Sequence, residues 1–90
     1  MNEPRRVRNT PARPVMLYDA DCRFCTLWIR RWQQCTGDAV EYLPFQEDSV
    51  HDRFPELQRD QLEQAVHLIQ INGTVVVGAE AVFRSLATGR

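Results

Sequence analysis

Two cysteines separated by two residues are the clearest chemical feature of this sequence. Cys22 and Cys25 enclose Arg23 and Phe24. On the first turn of a helix, cysteines at this spacing fall within the Cα separation of about 4.4–6.8 Å that a disulfide requires. Free N–H groups at a helix start favour negative charge, and the thiolate is the nucleophile in thiol–disulfide exchange. We therefore predict that Cys22 is the nucleophile and that Cys25 is the resolving thiol.

Charged neighbours are expected to affect the ionisation of Cys22 in opposite directions. Arg23 and the helix start stabilise a thiolate at the first cysteine. Asp19 and Asp21 oppose it, and a carboxylate ~6 Å away costs about 0.7–2.8 kcal/mol for effective dielectric constants between about 80 and 20. Asp21 is also the predicted N-cap of the helix, because its carboxylate can accept hydrogen bonds from first-turn N–H groups. These contributions nearly cancel, which favours a reductase over a strong oxidant.

A cysteine pair can also be half of a metal site. A structural zinc site needs four ligands, whereas the sequence has no second Cys-x-x-Cys and its two histidines, His51 and His67, lie on different predicted elements. We expect no metal in a single chain. A dimer that shares two motifs around a metal or an iron–sulfur cluster stays open as an alternative. The third cysteine, Cys35, is predicted to be a buried free thiol.

The elements that position the pair follow from hydrophobic patterning. The apolar run of residues 15–18 predicts a buried strand. Apolar side chains at helical spacing predict a helix over residues 22–35, with Trp28 and Trp32 on the face that packs in the core. A second strand follows, and Pro44 either makes it an edge strand or ends it, because proline cannot donate to a ladder.

The second half of the chain predicts further helices and a hairpin. Residues 49–64 have helical spacing that Pro55 interrupts, so we expect two short helical pieces. Asn72-Gly73 between two β-rich runs predicts a hairpin whose two turn residues both have positive φ. An amphipathic helix over residues 79–86 closes the chain. The order β-α-β-α-β-β-α predicts an α/β fold with a mixed central sheet, which is the thioredoxin-like arrangement.

Two segments carry a family resemblance. The first is the run Leu-Tyr-Asp-Ala-Asp-Cys-Arg-Phe-Cys over residues 17–25, and the second joins Asn72-Gly73 to Val-Gly-Ala-Glu-Ala over residues 77–81. Together they resemble the DCC-type thiol–disulfide oxidoreductase-like family of the thioredoxin superfamily. The resemblance implies a redox-active disulfide that needs no bound cofactor, because the cysteine pair carries the electrons. Members of this family are often longer, so the chain is expected to be a minimal or a C-terminally truncated member.

The sequence departs from the family pattern at two points. Ala20 stands where the family usually has glycine. Thioredoxins also place a cis-proline before the strand that faces the dithiol, and counting back from the hairpin puts that position at Ala65 and Val66. We expect a trans peptide there, because a non-proline cis bond costs about 2.5–4 kcal/mol.

The same comparison implies that Ala65, Val66 and His67 form the substrate-facing loop. Without proline, the loop is expected to give weak activity toward a generic protein disulfide. Ala65→Pro is predicted to raise that activity. His67 either contacts the motif or is a surface residue of the strand, and the surface position is favoured.

Composition fits one globular domain. The sequence is 43% apolar and 26% charged, with a formal net charge of −1, so nothing indicates nucleic-acid binding. Residues 1–14 hold three prolines and four arginines and are predicted to be a flexible arm that forms little core, ahead of the domain over residues 15–90. No apolar run of about 18 residues and no secretory signal is visible, so we expect a cytoplasmic protein without a transmembrane segment.

The sequence therefore predicts a thiol–disulfide oxidoreductase. Its Cys22–Cys25 dithiol would exchange with the disulfide of a protein or a small thiol, and a separate electron donor would restore it. One alternative is a thioredoxin-like binding module with incidental redox activity, whose partner in this kind of family is often a membrane protein. The metal-bridged dimer is the other alternative.

Overall fold

The computed structural model describes residues 5–88, which form one mixed sheet with helices on both faces. The strands are β1 (Arg5–Arg6), β2 (Val15–Tyr18), β3 (Glu41–Pro44), β4 (His67–Ile69) and β5 (Thr74–Val77). The helices are α1 (Arg23–Thr36), α2 (Asp48–Arg53), α3 (Arg59–Gln64) and α4 (Gly78–Thr88), with a 3-10 turn at Gly37–Ala39. From β2 onward this is the predicted thioredoxin-like order, and the predicted second helix consists of the two short pieces α2 and α3.

β2 is the central strand that leads into the cysteine motif. The sheet order is β1-β5-β4-β2-β3, and β2 runs parallel to β3 and antiparallel to β4. Val15 and Leu17 pack in a cluster with residues of α2 and α3, whereas Met16 packs with Ile29 of α1 and Ala81 of α4. Because both faces of β2 are covered, its sequence is a continuous apolar run rather than an alternating one.

The β4–β5 hairpin is present, but its turn differs from the predicted one. Gly73 has a φ of 88°, and its N–H donates to the Gln70 carbonyl at 2.8 Å. No non-glycine residue among residues 5–88 has a positive φ, so Asn72 does not adopt the left-handed conformation of a two-residue turn. Its side chain instead accepts from Thr74 N–H at 3.0 Å. The hairpin therefore has a three-residue loop that ends in a glycine bulge.

The segment before β2 packs on the domain, contrary to the predicted flexible arm. β1 pairs antiparallel with β5, and Val7 N–H donates to the Gly73 carbonyl at 2.9 Å. The Val7 side chain is 5% exposed and belongs to the core cluster on the α2 and α3 face. The segment was predicted to contribute little to the core. This prediction is wrong for Val7, because its side chain packs in the core and holds the short strand β1 in place. Residues 1–4 lie outside the described part of the chain.

α1 contacts the core with a narrower stripe than its apolar spacing predicts. Ile29 and Thr36 are its buried residues, whereas Trp28 and Cys35 are exposed. α4 packs beside α1 on the same face of the sheet, so Ile29 and the partly buried Trp32 are enough to fill the space under α1. The predictions of a buried Cys35 and a core position for Trp28 are therefore wrong.

Candidate dithiol site

Cys22 is the N-cap residue of α1. Its backbone is extended, with φ −92° and ψ 108°, and its Sγ accepts a hydrogen bond from Cys25 N–H at 3.2 Å. Its carbonyl accepts from both the backbone N–H and the hydroxyl of Thr26, at 2.9 and 3.0 Å. A sulfur in this position lies at the positive end of the helix, among first-turn N–H groups that have no partner within the helix.

Asp21, the predicted cap, does not cap the helix. Its backbone N–H donates to Asp19 Oδ1 at 2.9 Å, and Cys22 N–H donates to the Asp19 carbonyl at 3.2 Å. These two bonds turn the chain between β2 and α1 and leave Asp21 exposed one residue before the cap. The cap prediction is wrong because an aspartate two residues earlier makes the local side-chain-to-backbone bond and so shifts the helix start.

Cys25 is the sulfur that keeps its proton. A side-chain hydrogen bond with Cys22 raises the pKa of the Cys25 thiol to about 11, with smaller contributions from burial and from the nearby Cys22 and Asp19. Both cysteines are free and partly exposed. The arrangement thus pairs a proton-bearing sulfur with a sulfur that accepts hydrogen bonds, which is what nucleophilic attack by Cys22 requires.

Gln46, which no sequence motif marked, links the loop before the dithiol to the loop that follows β3. Its side-chain Nε2 donates to Asp19 Oδ1 at 2.6 Å, and its Oε1 accepts from Ala20 N–H at 3.2 Å. β2 and β3 pair in parallel as far as Tyr18 and Pro44, so the loops that follow both strands leave the sheet at the same edge. The predicted strand–helix–strand order, whose two strands run parallel in such a unit, was the signal that could have placed Gln46 beside Asp19.

Arg23 and Asp19 supply charges of opposite sign near the dithiol. Arg23 is the first residue of α1 and is exposed, and the first turn of the helix contains no acidic residue. Its guanidinium therefore adds to the positive helix start, although solvent screens it. The Asp19 carboxylate acts in the other direction, because it is one of the groups that raise the pKa of Cys25.

The residues before β4 lie beside the strand that carries the dithiol. β4 pairs antiparallel with β2, and the pairing begins at His67 opposite Leu17, so Ala65 and Val66 lie next to the end of β2. Val66 packs on the α1 and α4 face together with Tyr18. All peptide bonds among residues 5–88 are trans, as expected for this position.

His67 is buried, so the expected surface position is wrong. Its side chain is 2% exposed, and it shares the α2 and α3 face of the sheet with Ile69 because alternate residues of a strand point to the same side. Its Nδ1 hydrogen-bonds the Ala65 carbonyl at 2.9 Å, and Nδ1 must be the donor because a carbonyl only accepts. The imidazole therefore holds the backbone of the loop from inside the sheet.

Neither a metal cluster nor a membrane-spanning helix is found in the described part of the chain. Among residues 5–88, no group of three or more His, Cys, Asp or Glu side chains could hold a metal ion. The helices of the same residues are all too short or too polar to cross a bilayer.

A mixed sheet between two helical layers, with a Cys-x-x-Cys at the start of its first long helix, defines a thioredoxin-like dithiol domain. The family model of the DCC1-like thiol-disulfide oxidoreductases matches residues 16–89, and the chain belongs to this family. No curated protein and no solved structure matches the chain. The matched segment includes the dithiol, Gln46 and the loop before β4.

Proposed function

We propose that this protein is a thiol–disulfide oxidoreductase whose Cys22–Cys25 dithiol reduces the disulfide of a protein or of a small thiol compound. The observation that carries the proposal is the N-cap position of Cys22, where Sγ accepts a hydrogen bond from Cys25 N–H. The raised pKa of Cys25 supports it, because exchange needs one sulfur ionised and the other protonated at the start. Membership of the family supports the same class of reaction.

The reaction consists of two exchange steps. In the first, the Cys22 thiolate attacks one sulfur of the substrate disulfide, a Cys22–substrate disulfide forms, and the other substrate sulfur leaves as a thiolate that solvent protonates. In the second, Cys25 loses its proton to solvent and attacks Cys22 Sγ. The Cys22–Cys25 disulfide forms, the bond between Cys22 and the substrate breaks, and the second substrate sulfur leaves as a thiolate that solvent protonates. Two electrons pass to the substrate, and an external thiol or dithiol donor restores the reduced pair.

Asp19 and Gln46 are proposed as positioning residues for these steps. The hydrogen bonds of Gln46 to Asp19 and Ala20 fix the turn that precedes the nucleophile. The Asp19 carboxylate helps to keep Cys25 protonated, so that Cys25 becomes a nucleophile only after Cys22 has been consumed in the mixed disulfide. Neither side chain is proposed to contact the substrate. Gln46 fixes the turn before Cys22, and Asp19 delays the attack of Cys25.

A redox titration of the dithiol tests the proposal. Metal-free protein is equilibrated in glutathione buffers of graded potential, the free thiols are alkylated, and the masses are counted. The Cys35→Ser variant is the background, because the exposed Cys35 would otherwise form intermolecular disulfides. We expect one reversible two-electron transition that disappears in both Cys22→Ser and Cys25→Ser. Irreversible oxidation, or glutathione adducts without a Cys22–Cys25 disulfide, would contradict the proposal.

The order of the two thiols is tested by limited alkylation. A short exposure of reduced protein to iodoacetamide, followed by peptide mapping, should modify Cys22 before Cys25, because Cys22 begins the helix and Cys25 holds its proton. Preferential modification of Cys25 would reverse the assignment of nucleophile and resolving thiol.

A binding module is the second candidate function, and the exposed apolar side chains of α1 favour it. Phe24 and Leu27 lie in solvent beside the dithiol, where they can contact a partner whether or not a disulfide is exchanged. A partner-dependent effect that survives Cys22→Ser would identify a binding module. Loss of the effect in that variant would identify the redox reaction as the function.

A further inference from the structure

Four exposed residues form a ridge along α1, which we call the aromatic ridge: Phe24, Leu27, Trp28 and Arg31. Their spacing of three, four and seven residues places them on one side of the helix. The first three are 69%, 53% and 38% exposed. The Phe24 ring meets the Trp28 ring edge-on with centroids 6.0 Å apart, and the Arg31 guanidinium lies 5.4 Å from the Trp28 centroid. Contacts within the ridge therefore align its side chains.

None of the three apolar residues of the aromatic ridge belongs to a core cluster, although Trp28 contacts the partly buried Trp32 with ring centroids 6.4 Å apart. Ile29 is the residue that fixes α1 to the sheet, and it lies on the opposite side of the helix from Leu27 and Arg31. Contiguous apolar side chains in solvent are unusual on a small domain and mark binding surfaces. Tryptophan and arginine are also the residues that most often dominate binding energy at interfaces.

The charge of α1 itself is positive. α1 contains Arg23, Arg30 and Arg31 and no acidic residue. Among the described residues, the two ion pairs use arginines of α2 and α4, so the arginines of α1 have no carboxylate partner in that part of the chain. A partner that brings carboxylates to this surface would neutralise the charge and would also associate faster.

The position of the aromatic ridge connects it with the dithiol. Phe24 lies between Cys22 and Cys25 in the chain, so whatever covers Phe24 is brought next to the nucleophilic sulfur. A lipid surface on the same residues would cover the dithiol and keep a disulfide away from it. A substrate segment that extends from its own disulfide along the ridge would cover Phe24 and still leave that disulfide next to Cys22.

We propose that the aromatic ridge binds the segment of a protein substrate that adjoins its disulfide, and that this segment is apolar near the cysteine and acidic beyond it. The inference rests on the proposed function and adds the class of substrate. From Phe24 to Arg31 the helix rises about 10 Å. An extended peptide spans that distance in about three residues. Apolar side chains one or two positions from the substrate cysteine would meet Phe24 and Trp28, and a carboxylate next along the chain would meet Arg31.

The test uses three synthetic disulfides with reduced Cys35→Ser protein. One peptide has the sequence Gly-Cys-Leu-Phe-Glu-Glu, capped at both ends and joined by a disulfide to 2-mercaptoethanol. Its matched partner has lysines in place of both glutamates. The third compound is 2-hydroxyethyl disulfide, which is uncharged and too small to reach the ridge. Single-turnover rates are measured by chromatography of the released thiols at low and high salt.

We expect the acidic peptide to react about tenfold faster than its lysine partner at low salt, with a smaller ratio at high salt. Arg31→Glu should remove or invert the preference, and Trp28→Ala should slow both peptides severalfold. The rate with 2-hydroxyethyl disulfide, measured for each variant, reports any change at the dithiol itself. Arg59→Glu, a charge reversal in α3 on the opposite face of the sheet, is the matched control, and thermal melting checks the folding of each variant.

The outcomes separate this inference from the proposed function. No reaction with any of the three disulfides would overturn both. Reaction with 2-hydroxyethyl disulfide but equal rates with the two peptides would overturn the ridge inference alone. Sedimentation of the protein with phosphatidylserine vesicles, lost in Trp28→Ala and combined with equal peptide rates, would replace it with a membrane-binding surface.

Discussion

The loop before the dithiol and the loop before β4 flank the end of the same central strand, yet they are held in different ways. The first, residues 19–22, is fixed by side chains, because the Asp19 carboxylate accepts from Asp21 N–H and from Gln46. The second, residues 65–66, is fixed mainly through its backbone, because the Val66 carbonyl accepts from Gly78 N–H and the Ala65 carbonyl from buried His67. Side-chain substitutions should therefore adjust the first loop, whereas the second should respond to changes in backbone conformation.

The largest expected effect is on the pKa of Cys25, which the side chain of Cys22 in the first loop controls. The hydrogen bond to Cys22 is the first cause of the raised Cys25 pKa, so Cys22→Ala should lower that pKa from about 11 toward the ordinary value of 9.0. Ionised Cys25 would then appear at lower pH than in the parent protein. The ¹³C chemical shift of labelled Cys25 Cβ, followed against pH in the Cys35→Ser background, measures the change. A Cys25 pKa that stays near 11 would show that burial or Asp19, rather than Cys22, holds the proton.

Proline at position 65 tests the backbone control of the second loop. Ala65 has φ −161° and ψ 158°, whereas proline requires a φ near −65°. Ala65→Pro is therefore expected to destabilise the domain by about 1–3 kcal/mol rather than to improve the loop, as the missing family proline suggests from sequence alone. Urea unfolding of this variant and of Ala65→Ser, which changes the side chain without restricting φ, measures the difference. A variant with parent-like stability and higher reductase activity would show that the loop adapts to proline.

Removal of Gln46 should loosen the first loop and leave the second unchanged. Gln46→Ala deletes the hydrogen bonds to the Asp19 carboxylate and from Ala20 N–H, which should cost about 1 kcal/mol, because the site is only partly buried. The second exchange step should slow with it, since the turn before Cys22 loses its anchor. Gln58→Ala is the matched control, because Gln58 is exposed and its side chain does not cap α3. Equal melting temperatures and equal rates for the two variants would show that Gln46 does not position the dithiol.

The smallest effect is expected at Asp21. Its side chain is exposed and does not cap α1, where Cys22 is the N-cap. Asp21→Asn should change stability by less than about 0.5 kcal/mol and should shift the redox potential of the dithiol less than Gln46→Ala does. Urea unfolding and the glutathione titration measure both quantities. A larger shift from Asp21→Asn would place its carboxylate closer to the reactive sulfur than its exposure indicates.

The parts of the fold that were predictable rest on patterns that are local in the chain. The apolar run of β2, the Asn72-Gly73 signal and the interruption at Pro55 each predicted the element that forms there. The dithiol at a helix start was predictable for the same reason, because spacing and helix polarity are local properties. Membership of the family then confirmed the thioredoxin-like arrangement.

The parts that were missed depend on contacts between residues far apart in the sequence. Gln46 reaches Asp19 only because β2 and β3 are parallel neighbours. Helical periodicity identified a stripe on α1 that includes Trp28, but it could not show that α4 would share the same sheet face and leave Trp28 outside the core cluster. Exposure of this kind is a tertiary property, and here it created the surface on which the substrate inference rests.

The short strand β1 also has a consequence for how copies of the protein meet. An uncovered β5 would present the unpaired backbone of Thr-Val-Val-Val, a template on which another chain can add a strand and begin to aggregate. β1 covers the first half of that edge, because Arg6 pairs with Thr74 and Arg5 pairs with Val75, and Val7 is buried in the core directly after it. The other edge is β3, which ends in Pro44, a residue with no N–H to offer. The segment ahead of β2 thus leaves less of the β5 backbone open to pairing with another copy, although no residue of the dithiol belongs to this segment.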